Sequence, residues 1–426
     1  MALGDVLRLL GRRDVLLFMA GSWTAFSNLY VSFTVLPLYV LDVGGTAADV
    51  GWQAGLFTVA SIVLRAVLGP LADRRGRRLP LVVGSAAYGL ACLGLVYADS
   101  VGTVALMRVV QAVGSAAFLS AASAMTIDLS PPGLRATGLG LLGVFKALAL
   151  GLGPPLALVT AGRYGFSTLF FAGALVSAAG TLSLALVRES AAPPASQAGA
   201  LPPPAPPPPR RAAGEVSSVN GAAPRSGSQW VVVAGEPRAR QALLSMAVVS
   251  AAYGAVMNFV PVYGEAAGVH YTGLYFPVMA GASLAGGLVA GRAADGRGRM
   301  AVFMPVLALL GLGVGAAGAL AVPVAFTFSA LLVGQGFAGG FAVLGALLAE
   351  SVGPRQRGLA FALQETAIDA GMALGALAIG SAAAGLGYGP AFAGVGTVCL
   401  LWSGWLWVKA SRQEPVPGVA SGRSEP

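Results

Sequence analysis

Apolar runs about as long as a membrane is thick recur from one end of this chain to the other. Crossing a hydrocarbon core of roughly 30 Å takes about 20 mostly apolar residues in a helix. Such runs fall at 15–40, 49–70, 80–98, 101–126, 138–161, 166–187, 241–264, 271–291, 300–320, 323–348, 358–384 and 389–409. The 426 residues are 56% hydrophobic and only 10% charged, with a mean hydropathy of +0.77. That composition excludes an ordinary soluble domain. The expected fold is an all-α polytopic membrane protein with twelve transmembrane helices.

The runs divide into six and six, and the division is a duplication. Gly69-Pro-Leu-Ala-Asp-Arg-Arg-Gly-Arg-Arg78 returns, loosened, as Gly291-Arg-Ala-Ala-Asp-Gly-Arg-Gly-Arg299, with Asp73 and Asp295 standing 222 positions apart. Each copy reads as a loop between two apolar runs. A second loop repeats in the same register: Asp128-Leu-Ser-Pro-Pro-Gly between runs four and five, and Glu350-Ser-Val-Gly-Pro-Arg between runs ten and eleven. Two matched loops predict two pseudo-symmetric six-helix bundles, at 1–188 and 240–410. Between them, 189–239 holds Leu201-Pro-Pro-Pro-Ala-Pro-Pro-Pro-Pro-Arg-Arg211 and little that is apolar, which predicts a disordered linker. Trp230–Val233 within it is apolar enough to touch a membrane surface, and 411–426 reads as a polar tail.

The net charge of +9 invites a nucleic-acid reading, but its placement argues otherwise. Of 26 Lys and Arg, Arg65, Arg108 and Lys146 fall inside runs and Arg163 in a loop on the opposite side; all the others fall on one side. This is the positive-inside pattern, and it predicts that both termini are cytoplasmic. No basic stripe interleaves with aromatics, so no nucleic-acid partner is expected. Cys92 and Cys399 lie in distant runs, and His270 is the single histidine. Neither a disulfide framework nor a metal site nor another cofactor is expected from these.

The first repeated motif closely resembles the loop signature of the major facilitator superfamily, and the resemblance covers everything except the linker and tails. Leu106-Met-Arg108-Val-Val-Gln111-Ala-Val-Gly114 resembles that family's span-four motif, with Ala112 in place of a glycine. Gly153-Pro154 partly matches its antiporter motif, from which Ala149 and Leu156-Ala157-Leu158 depart. Leu64-Arg65 and Asp369-Ala-Gly-Met-Ala-Leu-Gly375 are similar to bacterial drug and sugar efflux branches. The resemblance implies a monomeric secondary transporter of a small-molecule substrate in a cell membrane, with protons as the coupling ion. It also implies that Gly69, Asp73, Arg74, Gly76, Arg77 and Arg78, with Asp295 in the second copy, form a gate. There the first-loop aspartate meets the start of span eleven near Gly358. The plainer alternative makes these charges topological only.

Ionisable groups inside the bilayer are costly and normally face a cavity or a partner. Arg65, Arg108, Lys146, Glu365 and Asp369 are the groups of that kind here. Glu365 and Asp369 share one helical face at a spacing of four. Their mutual repulsion suits a proton-carrying site, whereas an ion pair between Asp369 and Arg65 would be structural; the sequence leaves both open. Arg108 either holds an anionic substrate or makes a structural pair, and Lys146 reads as an interhelical charge. Asn28, Gln111, Tyr253, Asn258 and Gln335 dot the cavity-lining runs, as substrate contacts or as interhelical glue. No Gly-x-x-x-x-Gly-Lys-Ser/Thr loop is present, so ATP is not the direct energy source. No nucleophile–base set suggests an enzyme. Proton-coupled efflux leads; uptake or facilitated diffusion would use the same residues, and a lipid-flipping protein is the non-transport alternative.

Overall fold

The computed structural model describes residues 3–188, 235–353 and 356–413, and of residues 3, 69–75, 120, 132, 136, 357, 358, 412 and 413 the backbone alone. The predicted linker and tail fall mostly outside these residues, and Trp230–Val233 wholly so. Among the described residues the regular structure is entirely helical, as a backbone without water to bond requires. In chain order come α1 (Leu3–Leu10), α2 (Arg13–Thr34), α3 (Leu36–Asp42), α4 (Ala47–Arg75), α5 (Arg78–Val96), α6 (Val101–Leu129) and α7 (Arg135–Ala185). The second half holds α8 (Pro237–Ala266), α9 (Tyr275–Arg297), α10 (Arg299–Ala317), α11 (Pro323–Ser351), α12 (Arg357–Leu386) and α13 (Tyr388–Gln413).

Eleven of these helices are long and apolar enough to cross a membrane. One of the eleven, over Thr137–Ala185, counts twice. Its 49 residues would reach about 74 Å if straight, more than two hydrocarbon thicknesses. Gly165 breaks it at φ 82°, ψ 164°. The twelve crossings expected from hydropathy are therefore present. Two details differ from the sequence reading. The first crossing is broken at Val35, because Pro37 in the first turn of α3 has no N–H to continue the ladder. The repeated motif is mostly helix rather than loop: α4 runs to Arg75 and α9 to Arg297, and only the glycines that follow turn the chain.

Helix packing repeats between the halves. In the first, α2 and α5 lie on α7, and α4 lies on α6; in the second, α8 lies on α12, α9 on α11 and α10 on α13. The halves meet where α4 packs on α12 and α7 on α9. Exposed Leu288, Leu401 and Trp407 face outward, as lipid-facing surface does.

The duplication is written into the backbone too. Gly76 and Gly298 have φ of 87° and 92°, while Gly165 and Gly387 have 82° and 80°. Each pair is separated by the same 222 positions as Asp73 and Asp295. With ψ of 164° and 167°, Gly165 and Gly387 occupy a region open essentially to glycine alone. Nothing lies within 4 Å of a Cβ placed on either, so an alanine there meets backbone strain and no clash. Gly165→Ala and Gly387→Ala should each cost about 1–3 kcal/mol, read as a lowered Tm of the purified protein. An unchanged Tm in both would show that these turns relax freely.

Candidate transport pathway and gate

At the end of the bundle away from the repeated motif, small residues bring α4 and α12 into backbone contact. A Cβ on Gly51 would stand 3.1 Å from the Ala376 carbonyl oxygen, and one on Gly380 would stand 2.5 Å from that of Ala47. Such approach is how membrane helices gain dispersion energy where no hydrophobic drive separates helix from lipid. Elsewhere at this end a crevice of about 610 Å³ remains between the halves, lined by Leu38, Pro155, Phe166, Glu265, His270 and Tyr271.

Toward the middle the α4–α12 seam turns polar. Thr58 donates its hydroxyl to the Asp369 carbonyl oxygen at 3.1 Å. Further along α4, Arg65 Nη2 meets Asp369 Oδ2 at 2.9 Å, with the two side chains only 13% and 11% exposed. Among the described residues this is the one ion pair that joins the two halves. Of the two alternatives read from sequence, the geometry realises the Arg65–Asp369 pair. Glu365, one turn away and half-buried, stands within electrostatic reach of Asp369 and also of Lys146. Lys146 itself lies over the Phe26 ring at 4.8 Å.

Arg108 is the most deeply buried charged side chain among the described residues. It is 2% exposed and has no carboxylate at ion-pair distance among the described residues. Its Nη1 donates to Gln111 Oε1 at 3.3 Å, and its Nε finds no acceptor. The guanidinium instead faces Phe33 at 5.7 Å and Phe57 at 5.4 Å. Each such contact is worth about 0.5–2 kcal/mol, so two offset part of the burial cost. The rings meet edge to face at 5.5 Å. They also line a central pocket of about 10 Å³ with Thr58, Asn258, Asp369 and Met372. With room for about one water in this conformation, that pocket is lined by residues of both halves. Sequence reading missed Phe33, Phe57 and Thr58, because an aromatic ring or a hydroxyl inside an apolar run carries no mark of its neighbours.

The remaining polar candidates separate. Asn258 Nδ2 donates to the Gly254 carbonyl oxygen at 2.8 Å, while its buried Oδ1 at the pocket has no partner. Tyr253 stacks on Phe337, centroids 3.8 Å apart. Gln335 is exposed on α11. Asn28 donates to Ser177 Oγ at 2.7 Å and accepts from Cys92 Sγ at 3.1 Å, so it joins three spans of the first half rather than facing the pocket.

At the motif end, Arg77 pairs with Asp128 at 2.9 Å and Arg299 with Glu350 at 2.9 Å. All four residues obey the 222-residue offset. Arg78 donates to the Ala185 carbonyl oxygen, and Arg299 also binds Asp295 at 2.6 Å. Arg77 and Arg299 therefore each tie the turn after the motif to the end of the helix two crossings on, bracing their own halves. The side chains of Asp73 and Arg74 are not among those described, so the expected contact of Asp73 with the start of span eleven near Gly358 lies outside the described residues. Among the described residues no cluster of His, Cys, Asp or Glu fits a metal.

The quinolone resistance protein NorA of Staphylococcus aureus is 23% identical over 164 residues, 38% of this chain and 42% of that protein. A multi-drug resistance efflux pump PmrA homolog of Lactococcus lactis is 25% identical over 187 residues, 43% of this chain and 46% of that protein. The chain thus spans less than half the length of the curated relatives it matches. In fold it is similar to the nucleoside transporter NupG, with a TM-score of 0.71 at 12% identity over 95% of this chain and all of that one. It is also similar to a peptide transporter POT in complex with sulfate, with a TM-score of 0.68 at 15% identity over 93% of this chain and 94% of that one. The family model of the Major Facilitator Superfamily matches residues 18–322 and 270–425, so the chain belongs to that superfamily.

Proposed function

We propose that this multi-pass membrane transporter works by alternating access and exports a small amphipathic or sugar-like solute in exchange for protons. The observation that carries the reading is the Arg65–Asp369 pair, a buried charge contact between halves that must part and rejoin. While the pair is intact, each charge neutralises the other and the halves are held together across α4 and α12. A proton delivered to Asp369 cancels its charge, removes the attraction to Arg65 and leaves the halves free to separate. Loss of that proton on the other side restores the pair. Glu365 supplies a second carboxylate one turn away for passing the proton on, and Lys146 balances it. The efflux direction rests on the relatives named for quinolone and multi-drug resistance. The placement of basic residues puts both termini and the motif end in the cytoplasm.

Purified protein in liposomes, given an outward or inward pH gradient and a panel of drugs and sugars, tests this reading. At least one solute should move against its gradient when protons run down theirs, and should stop when an ionophore collapses the proton gradient. Solute movement indifferent to the pH gradient in both directions would reduce the protein to a facilitator and remove the proton from the mechanism.

A further inference from the structure

We infer that Arg108 is the anchor for a substrate carboxylate, so that the solutes this protein prefers are aromatic anions or zwitterions rather than simple cations. The inference rests on the transport reading above and names the chemical class of its substrate. Its first support is a count of charge. The charged side chains well inside the crossings, away from their ends and turns, are Arg65, Arg108 and Lys146 against Glu365 and Asp369. Asp369 is taken by Arg65 at 2.9 Å, and Glu365 lies in the field of Lys146. One positive charge is left over, and it is Arg108.

The second support is geometric. Arg108 is 2% exposed, yet its Nε has no acceptor and Gln111 occupies only Nη1. A guanidinium offers a planar fork of donors suited to a carboxylate held by two parallel hydrogen bonds. Here the edge of that fork is left open in a place closed to water.

The third support is what screens it. Phe33 and Phe57 both face the guanidinium, at 5.7 and 5.4 Å, and both line the central pocket that Asp369 also lines, whereas Arg108 is not among its lining residues. In this conformation the pocket is collapsed and the two rings stand in for an anion by their electron-rich faces. When α4 and α12 part, Asp369 and Met372 leave with α12 while α4 stays packed on α6, so the Phe57 ring faces open space and can turn aside to uncover the guanidinium. A ligand with an aromatic body and a carboxylate then replaces both features, its ring against Phe33 and its anion on Arg108. A simple cation would meet the leftover positive charge instead.

Rhodamine B, which carries a free carboxylate, and its ethyl ester, which does not, are the probes. Binding of each to the full-length protein in lipid nanodiscs is followed by fluorescence polarisation against empty nanodiscs. Rhodamine B should bind at least tenfold more tightly than the ester. Arg108→Gln should erase that preference while leaving ester binding within twofold, and Arg108→Lys, which keeps the charge but not the fork, should fall between. Equal binding of acid and ester by the unaltered protein, no binding of the acid, or equal weakening of both by Arg108→Gln overturns the inference. The acid–ester comparison needs no variant, so it stands even where a substitution harms folding. The transport reading is tested apart, by flux of rhodamine B under a pH gradient. Selective binding without proton-driven flux would sink proton-coupled export and leave the anion site standing. Proton-driven flux of the ester with no preference for the acid would do the reverse.

Discussion

Asp369→Asn should abolish pH-driven accumulation in liposomes while sparing downhill exchange of the same solute. An amide keeps the shape and much of the hydrogen bonding of the carboxyl but neither holds nor releases a proton. The cavity therefore survives and the coupling does not. The same change leaves Arg65 facing a neutral group at a site 13% exposed. Removing one member of a buried pair costs about 3–5 kcal/mol, because the surviving charge stays buried without its partner. Arg65→Gln should cost a similar amount for the same reason. The double variant buries no unpaired charge and should recover most of that stability. Stability and coupling are thus expected to diverge: the double variant regains its Tm yet still fails to use a pH gradient. If flux returns along with Tm, the pair is only a structural clasp. Unchanged coupling in Asp369→Asn and Glu365→Gln, alone and combined, would move the proton site elsewhere, with Asp42 at the end of α3 the next candidate.

Hydropathy locates the crossings well because it measures what the bilayer measures, the transfer of a whole segment into hydrocarbon. It is blind to a local break inside a segment that remains apolar, and so it read α2 and α3 as one. It also passes over α1, a short helix too brief to span. The repeat told more. The offset that aligned Asp73 with Asp295 also aligns Gly165 with Gly387 and Arg77–Asp128 with Arg299–Glu350. Those glycine turns and ion pairs were present in the sequence as matched positions, though only the structure shows that they turn and pair. Arg65 and Asp369 were visible as charges out of place, since an ionisable group in a membrane helix demands a partner. That each is the other's partner is a fact about two helices far apart in sequence. Asn28 shows the converse limit. A polar residue in a cavity-lining span looks the same whether it meets substrate or, as here, Ser177 and Cys92.

Gly380→Leu should leave the protein folded and nearly eliminate transport. The α4–α12 seam forms only because neither helix carries a side chain where they touch: a Cβ on Gly380 already overlaps the Ala47 carbonyl oxygen at 2.5 Å, and the Gly51 Cα lies 3.4 Å away. Backbone cannot yield there as a flexible side chain would. A leucine must therefore hold α12 away from α4, prising apart the first and second halves at the end remote from the motif. Each half keeps its own core, because the contacts of α12 with α8 and of α4 with α6 lie on other faces. Folding should survive while the equilibrium shifts toward the conformation open at this end. Gly51→Leu, with the Ala376 carbonyl oxygen and Leu377 Cα both 3.1 Å from its Cβ, should act in the same direction. Gly380→Ala should act more weakly, since one methyl is a smaller wedge. A cysteine placed at Thr58, just inside the seam, reports the outcome. In the Gly380→Leu background it should react with a membrane-impermeant thiol reagent from that side at least tenfold faster than in the parent. Unchanged labelling together with normal transport would mean that the seam does not need to close, and that α4 and α12 merely rest against each other in one of several tolerated packings.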